Sequence, residues 1–168
     1  MELDATVREL APKVLGYCIL ETGDAALAEE ISQDTLTALV QRWRRYGPPD
    51  SPAAFVFAIA RRRSARAVFR RRVWLPLESA LAVFDHRANP EQRAIRLGER
   101  HLMVQALARL GRADRQVLLL LAVGDVGLEE AAGVLGISLS AVKMRALRAR
   151  KRLRELLEAG NGTGQRRP

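Results

Sequence analysis

The stretch that most limits what this chain can fold into is Val126–Leu156, VGLEEAAGVLGISLSAVKMRALRARKRLREL. It reads as a helix, a tight turn and a second helix with a basic face. Ala132, Gly136 and Val142 stand four and then six residues apart. That spacing suits a helix-turn-helix: a small residue where the helices touch, a glycine at the turn and an apolar anchor under the second helix. Val142, Ala146, Ala149, Leu153 and Leu156 recur at steps of four and three, the buried side of an amphipathic helix. Lys143, Arg148, Arg150, Lys151, Arg152 and Arg154 fall mostly off that stripe, and no acid interrupts the run. Ser138 or Ser140 can cap the second helix, whose N-terminus then offers amides to a phosphate. A solvated surface helix is the bland alternative. The spacing, the stripe and the unbroken basic run together favour DNA binding.

The whole chain agrees. A net charge of +9 over 168 residues asks for a polyanionic partner, nucleic acid first and an anionic membrane second. The apolar content of 48% is enough for one or two small packed domains. Aromatic and β-branched residues are sparse while Ala, Leu and Arg dominate, which favours an all-α fold. The single Cys18 excludes an intramolecular disulfide and fits a reducing cytoplasm. No run is long and apolar enough to insert in a membrane, and MELDATVREL lacks the layout of a signal peptide.

Charge is unevenly placed along the chain. Residues 1–41 carry Arg8 and Lys13 against eight acids, whereas residues 42–72 carry ten arginines and only Asp50. Leu10, Val14 and Tyr17 or Cys18 give the first segment a helical face, with Pro12 tolerable near a helix start. Thr22-Gly23-Asp24 is a turn with Asp24 as N-cap, and a helix is expected from about Ala25 to Arg45. Tyr46-Gly47-Pro48-Pro49-Asp50 forms a loop. Ser51 then caps a helix with Pro52 at its first position, running to about Arg72. Val73–Ala88 has no clear period and reads as a flexible linker. Asn89-Pro90-Glu91 starts a helix expected to run to Leu110 and stop at Gly111. Asp114–Val123 reads as a buried helix, and Gly127 caps the helix-turn-helix. The expected layout is two small helical domains, 1–72 and 89–158, a linker at 73–88 and a disordered polar tail at 159–168.

Catalytic chemistry is not visible. There is no phosphate-cradling glycine loop, and one cysteine with His86 and His101 cannot make a zinc site. The serines have no base nearby, and adjacent Glu29 and Glu30 point in different directions on a helix. No cofactor is expected, and binding is better supported than turnover.

A second basic region interleaves aromatics with arginines: Trp43, Arg44, Arg45, Tyr46, Phe55, Phe57, Arg61, Arg62, Arg63, Arg66, Phe69 and Arg70. Aromatic faces stack unpaired bases while guanidinium groups track the backbone. Duplex DNA needs no such platforms, so one module for duplex and one for melted strand is suggested. Phe55, Ile59 and Trp43 are better read as core than as base contacts.

At these residues the chain resembles a bacterial RNA polymerase sigma factor of the extracytoplasmic-function group. AEEISQDTLTALVQRWRRY resembles the family's helix that docks on the polymerase clamp. FVFAIARRRSARAVFRRR resembles the segment that follows. LGRADRQVLLLL and VGLEEAAGVLGISLSAVKMRALRARKRL resemble the two parts of the family's C-terminal domain. The resemblance covers about Val7–Arg72 and Asn89–Leu157. Departures are Leu36 for Phe, Phe55 for Trp, Arg62 for Asn, Arg66 for Asp, Gly111 for Pro and Ser140-Ala141 for Gly-Thr.

The resemblance implies a promoter-specificity factor that binds core RNA polymerase at the clamp and flap regions of its large subunits, and promoter DNA. Glu29, Glu30, Gln33 and Asp34 would dock on polymerase. Trp43, Arg44, Arg45, Arg61, Arg62, Arg66 and Phe69 would capture the melted −10 strand. Lys143, Met144, Leu147 and Arg148 would read the −35 duplex. Ser138, Ser140, Arg145, Arg150 and Lys151 would hold phosphates or support the helix. An anti-sigma partner is also implied. The runner-up is a helix-turn-helix regulator that binds duplex DNA without being a polymerase subunit.

Overall fold

The computed structural model describes residues 2–71 and 100–164, and every regular element among them is an α-helix. Seven elements are numbered in chain order: α1 (Leu3–Thr22), α2 (Ala25–Tyr46), α3 (Pro52–Arg71), α4 (described part 100–108), α5 (Arg112–Ala122), α6 (Leu128–Leu135) and α7 (Leu139–Gly164). The expected linker at 73–88 and the helix start at Asn89 lie outside the described residues.

The first three helices form one unit. Asp24 caps α2 by accepting from the Leu27 amide at 3.0 Å, and Ser51 caps α3 by accepting from the Ala54 amide at 3.1 Å. Leu10, Val14, Tyr17 and Cys18 of α1 meet Ala28, Ile31 and Leu39 of α2 and Val56, Phe57 and Ala60 of α3 in a buried core. Tyr17 and Phe57 pack edge to face, with ring centroids 5.4 Å apart. Pro12 does not sit near a helix start, because α1 begins at Leu3 and carries the proline in its middle. Pro12 is exposed, so the intrahelical bond it removes is lost on the solvent side.

The second unit packs α4, α5 and α6 around the buried stripe of α7. Val142, Ala146 and Ala149 are buried, with Leu153 and Leu156 packed partly buried behind them. Gly111 does not stop α4, which ends at 108; it is instead the N-cap of α5, where its carbonyl accepts from the Arg115 amide at 2.9 Å. Gly136 takes the left-handed conformation (φ 67°) that turns the chain from α6 to α7. Ala131, rather than Ala132, is the fully buried small residue of α6. Helix α7 continues past 158 through Gly164, where the sequence suggests a disordered tail. Gly160 of α7 faces α4 at this end: a Cβ there would stand 3.4 Å from Leu102 Cδ2.

The two units touch. Helix α1 meets α5, and α3 meets α6. At Gly124, after α5, an added Cβ would come within 2.9 Å of the Phe57 ring and 2.7 Å of the Leu120 carbonyl. The buried apolar residues of both units form one continuous cluster.

Burial pushes the Cys18 thiol up to about 12. Burial also raises the Tyr17 phenol. Both groups hold their protons more tightly folded than unfolded, so the stability they contribute is complete below their ordinary pKa values and falls as pH rises above them. The midpoint of thermal unfolding should therefore be insensitive to these groups up to about pH 8.5 and drop as pH rises toward 12. Ellman's reagent should react with native Cys18 at pH 8 far more slowly than with the unfolded chain.

Candidate nucleic-acid interface

Helix α7 owes its direction to its cap. Ser138 Oγ accepts from the Ala141 amide at 3.2 Å, so Ser138 rather than Ser140 is the cap. Ser140 instead pairs its hydroxyl with Ser138 Oγ at 3.0 Å. Behind it, Glu130 Oε2 accepts from the Gly127 amide at 3.1 Å and fixes the start of α6.

With Val142, Ala146 and Ala149 turned inward, helical periodicity puts Ser140, Lys143, Met144, Leu147, Arg148 and Lys151 on the opposite face, and all six are exposed. Met144 and Leu147 are large apolar side chains left 54% and 64% exposed in the middle of cations. Arg145 and Arg150 flank the buried stripe on opposite sides and do not share that face. Arg150 lines an apolar groove with Ile19, Leu20, Met103 and Leu153.

The first unit holds two surfaces that the sequence keeps apart. Glu29, Glu30, Gln33 and Asp34 are all exposed on one side of α2, while Arg62, Arg66 and Phe69 are exposed along α3. Glu30 and Asp34 share a groove with Arg62, Arg63 and Arg66, and Asp34 forms an ion pair with Arg63. An acidic wall and a basic wall therefore meet along the α2–α3 seam.

The aromatic residues separate by burial. Trp43 is packed partly buried against the core, as is Phe55. Phe69 is 85% exposed and Tyr46 is 65% exposed. Tyr46 belongs to the interleaved aromatic and arginine stretch of the sequence. Its ring lies 5.2 Å from the guanidinium carbons of both Arg42 and Arg45, and Arg42 is anchored on the Gly47 carbonyl at 2.8 Å. The signal available in the sequence was its place at the end of an amphipathic helix, one residue before a glycine loop.

Arg61 departs from its neighbours. It turns toward the second unit, where Nε donates to Gln116 Oε1 at 3.4 Å and Nη1 to the Val134 carbonyl at 3.3 Å. Arg62, Arg66 and Phe69 are thus exposed at successive turns of α3, Arg61 lines a groove with Arg62 and Arg66 while its guanidinium bonds across to the second unit, and Trp43 leans on the core. Arg44 and Arg45 are exposed at the far end of α2. Among the described residues no group of His, Cys, Asp and Glu could hold a metal ion.

Two family matches fall on these two units. Residues 6–74 match Sigma-70 region 2 and residues 100–153 match Sigma-70, region 4. The chain is 31% identical to the ECF RNA polymerase sigma factor SigD of Mycobacterium tuberculosis, over 95% of this chain and 79% of that one. It is 32% identical to the ECF RNA polymerase sigma factor ShbA of Streptomyces griseus, over 88% of this chain and 83% of that one. Its fold is similar to CnrH in complex with the cytosolic domain of CnrY, with a TM-score of 0.67, 25% identity, and 94% and 88% of the two chains covered. An all-α chain with these two regions in this order is a sigma-70-type transcription initiation factor. It belongs to the extracytoplasmic-function group of that family, and is a promoter-specificity factor that binds RNA polymerase.

If the Ser138 hydroxyl orders the start of α7, Ser138→Ala should lower stability by about 1 kcal/mol in urea unfolding, and Ser140→Ala by much less.

Proposed function

We propose that the unit within 1–72 docks on core polymerase and captures the melted −10 strand, and that the unit within 89–158 reads the −35 duplex, with 73–88 linking them. The observation that carries this is the face of α7: Ser140, three cations and two apolar side chains, all exposed and held outward by the buried Val142, Ala146 and Ala149. Lys143 and Arg148 suit guanine acceptors, and Met144 and Leu147 suit thymine methyls. Ser138, Ser140 and Lys151 border that face and suit phosphate contacts. Arg145 and Arg150, at its margins, fit supporting or peripheral phosphate roles.

Glu29, Glu30, Gln33 and Asp34 form the surface we assign to polymerase, and Arg62, Arg66 and Phe69, with Arg44 and Arg45, the surface for the opened strand. Tyr46 joins the strand surface, because its exposed ring is flanked by two guanidinium groups and offers a stacking platform. Trp43 supports that surface from the core side. The chain acts as a binding subunit without its own catalysis, in the cytoplasm where polymerase and chromosome reside. An anti-sigma protein fits as a further partner, since the similar CnrH is held by the cytosolic domain of CnrY.

In transcription with core polymerase, Arg148→Ala should cost about 1–3 kcal/mol of promoter discrimination and relax preference at one base pair. Equal loss on every promoter would reassign Arg148 to phosphate. Tyr46→Ala should reduce permanganate-reactive thymines in the −10 element while leaving −35 duplex protection unchanged. Asp34→Lys should weaken retention by core polymerase in a pull-down. A gel shift showing tight, specific binding without core polymerase would instead favour a free-standing regulator.

A further inference from the structure

Helix α3 walls a groove of about 640 Å³ on one side, and α5 and α6 wall it on the other. Four arginines line it: Arg61, Arg62 and Arg66 from α3, and Arg112 from the first turn of α5. Gln116 is the other polar side chain of the lining, and no carboxylate lines the groove among the described residues. The remaining wall is small and apolar, with Ala65 and Val134 in it. A concavity of this size suits a small ligand.

Arg61 is oriented in advance. Gln116 is buried, and its Nε2 donates to Glu21 Oε2 at 3.0 Å, which leaves Oε1 to accept from Arg61 Nε at 3.4 Å. Arg61 Nη1 donates to the Val134 carbonyl at 3.3 Å, and Nη2 makes no hydrogen bond among the described residues. Arg62, Arg66 and Arg112 are exposed, and none of the three forms an ion pair with a described residue. Four cations therefore share one concavity with no counter-charge in its walls, an arrangement that concentrates anions.

The other basic surfaces differ from this one. The groove along the α2–α3 seam shares Arg62 and Arg66, but Glu30 and Asp34 line it too, and Asp34 already pairs with Arg63. The cations of α7 lie on an outward face. Guanidinium groups present paired donors that match phosphate oxygens. A single phosphate brings at most about two negative charges against four guanidinium groups, whereas a short chain of phosphates matches them.

We propose that this groove is a binding site for a short polyphosphate, free or carried by a nucleoside, held by Arg61, Arg62, Arg66 and Arg112. The site does not depend on the assignment of Arg62 and Arg66 to an opened strand. Arg112 belongs to no surface assigned above, so it separates the two.

The test is calorimetric titration of the full chain with tripolyphosphate, ATP and AMP in metal-free buffer. Tripolyphosphate should bind saturably, one per chain, with an affinity that falls as salt is raised. AMP should bind at least about tenfold more weakly, because it carries one phosphate. ATP tighter than tripolyphosphate would identify a nucleotide, its nucleoside against the apolar wall; the reverse order would identify a free phosphate chain. Arg112→Ala and Arg66→Ala, on opposite walls, should each weaken tripolyphosphate binding about tenfold. Arg154→Ala removes an exposed cation of α7 and should change it by less than about twofold. Both groove arginines are exposed, so circular dichroism should show wild-type helix content in their variants. No saturable binding of tripolyphosphate or ATP, or equal losses from Arg112→Ala and Arg154→Ala, would overturn the site. So would binding that Arg66→Ala weakens and Arg112→Ala does not, since one wall would then suffice. A single-stranded oligonucleotide is titrated in parallel, and Arg112→Ala should change its affinity by less than about twofold. Equal loss of oligonucleotide and tripolyphosphate would make the groove part of the nucleic-acid surface and overturn it as a separate site.

Discussion

Helices α3 and α7 must each bury an apolar stripe while carrying cations on much of their remaining surface. This constraint shapes the rest of the structure. In α7 the stripe is made largely of small residues, Val142, Ala146 and Ala149, so the helix can lie close to α5 and α6. The guanidinium groups then have one direction left, outward. The basic face is a consequence of the packing: no acidic side chain lies between Lys143 and Arg154 to neutralise it, and no room exists to turn it inward. In α3 the same logic divides the arginines. Val56, Phe57 and Ala60 are drawn into the core, Arg62 and Arg66 are forced to the surface, and Arg61 falls at the border where the second unit stands.

Acidic residues counterbalance this charge in two different settings. On α2 they are exposed and gathered on one side, where Asp34 pairs with Arg63 across a seam open to solvent. An exposed pair of this kind is worth little energetically, and its partners remain available to other surfaces. Glu21 is the opposite case. It is buried, and it accepts from Arg115 and Gln116 of the other unit. The same residue type is thus solvated in one place and buried against another unit in another. The difference is set by what the tertiary packing places above it.

The aromatic residues show how far pattern alone can reach. Trp43, Tyr46, Phe55 and Phe69 lie in one Arg-rich region and look equivalent on the page of the sequence. Packing separates them: Trp43 and Phe55 lean on the core, and Phe69 and Tyr46 are left in solvent. The place of Tyr46 depends on Arg42 and Arg45 flanking one ring, a relation that exists only once the last turn of α2 is built. The position of Pro12 inside α1 has a similar cause. Local preference puts proline at helix starts, yet a proline on the solvent side of a well-packed helix can be carried through. Gly111 and Gly160 likewise behave according to their neighbours rather than their own propensity.

The sequence by itself determined the all-α class, the caps at Asp24, Ser51 and Gly127, the turn at Gly136 and the basic character of α7. Each of these follows from residues within a turn or two of one another, where helical periodicity and capping chemistry operate. It also carried enough family pattern to identify a sigma factor. What only the tertiary structure decided is which of the candidate side chains share a surface. That Arg61 faces Gln116 and Glu21 faces Arg115 depends on residues 55 and 94 positions apart in the chain. No local period encodes such a pairing; it arises when two separately amphipathic units come to rest against each other.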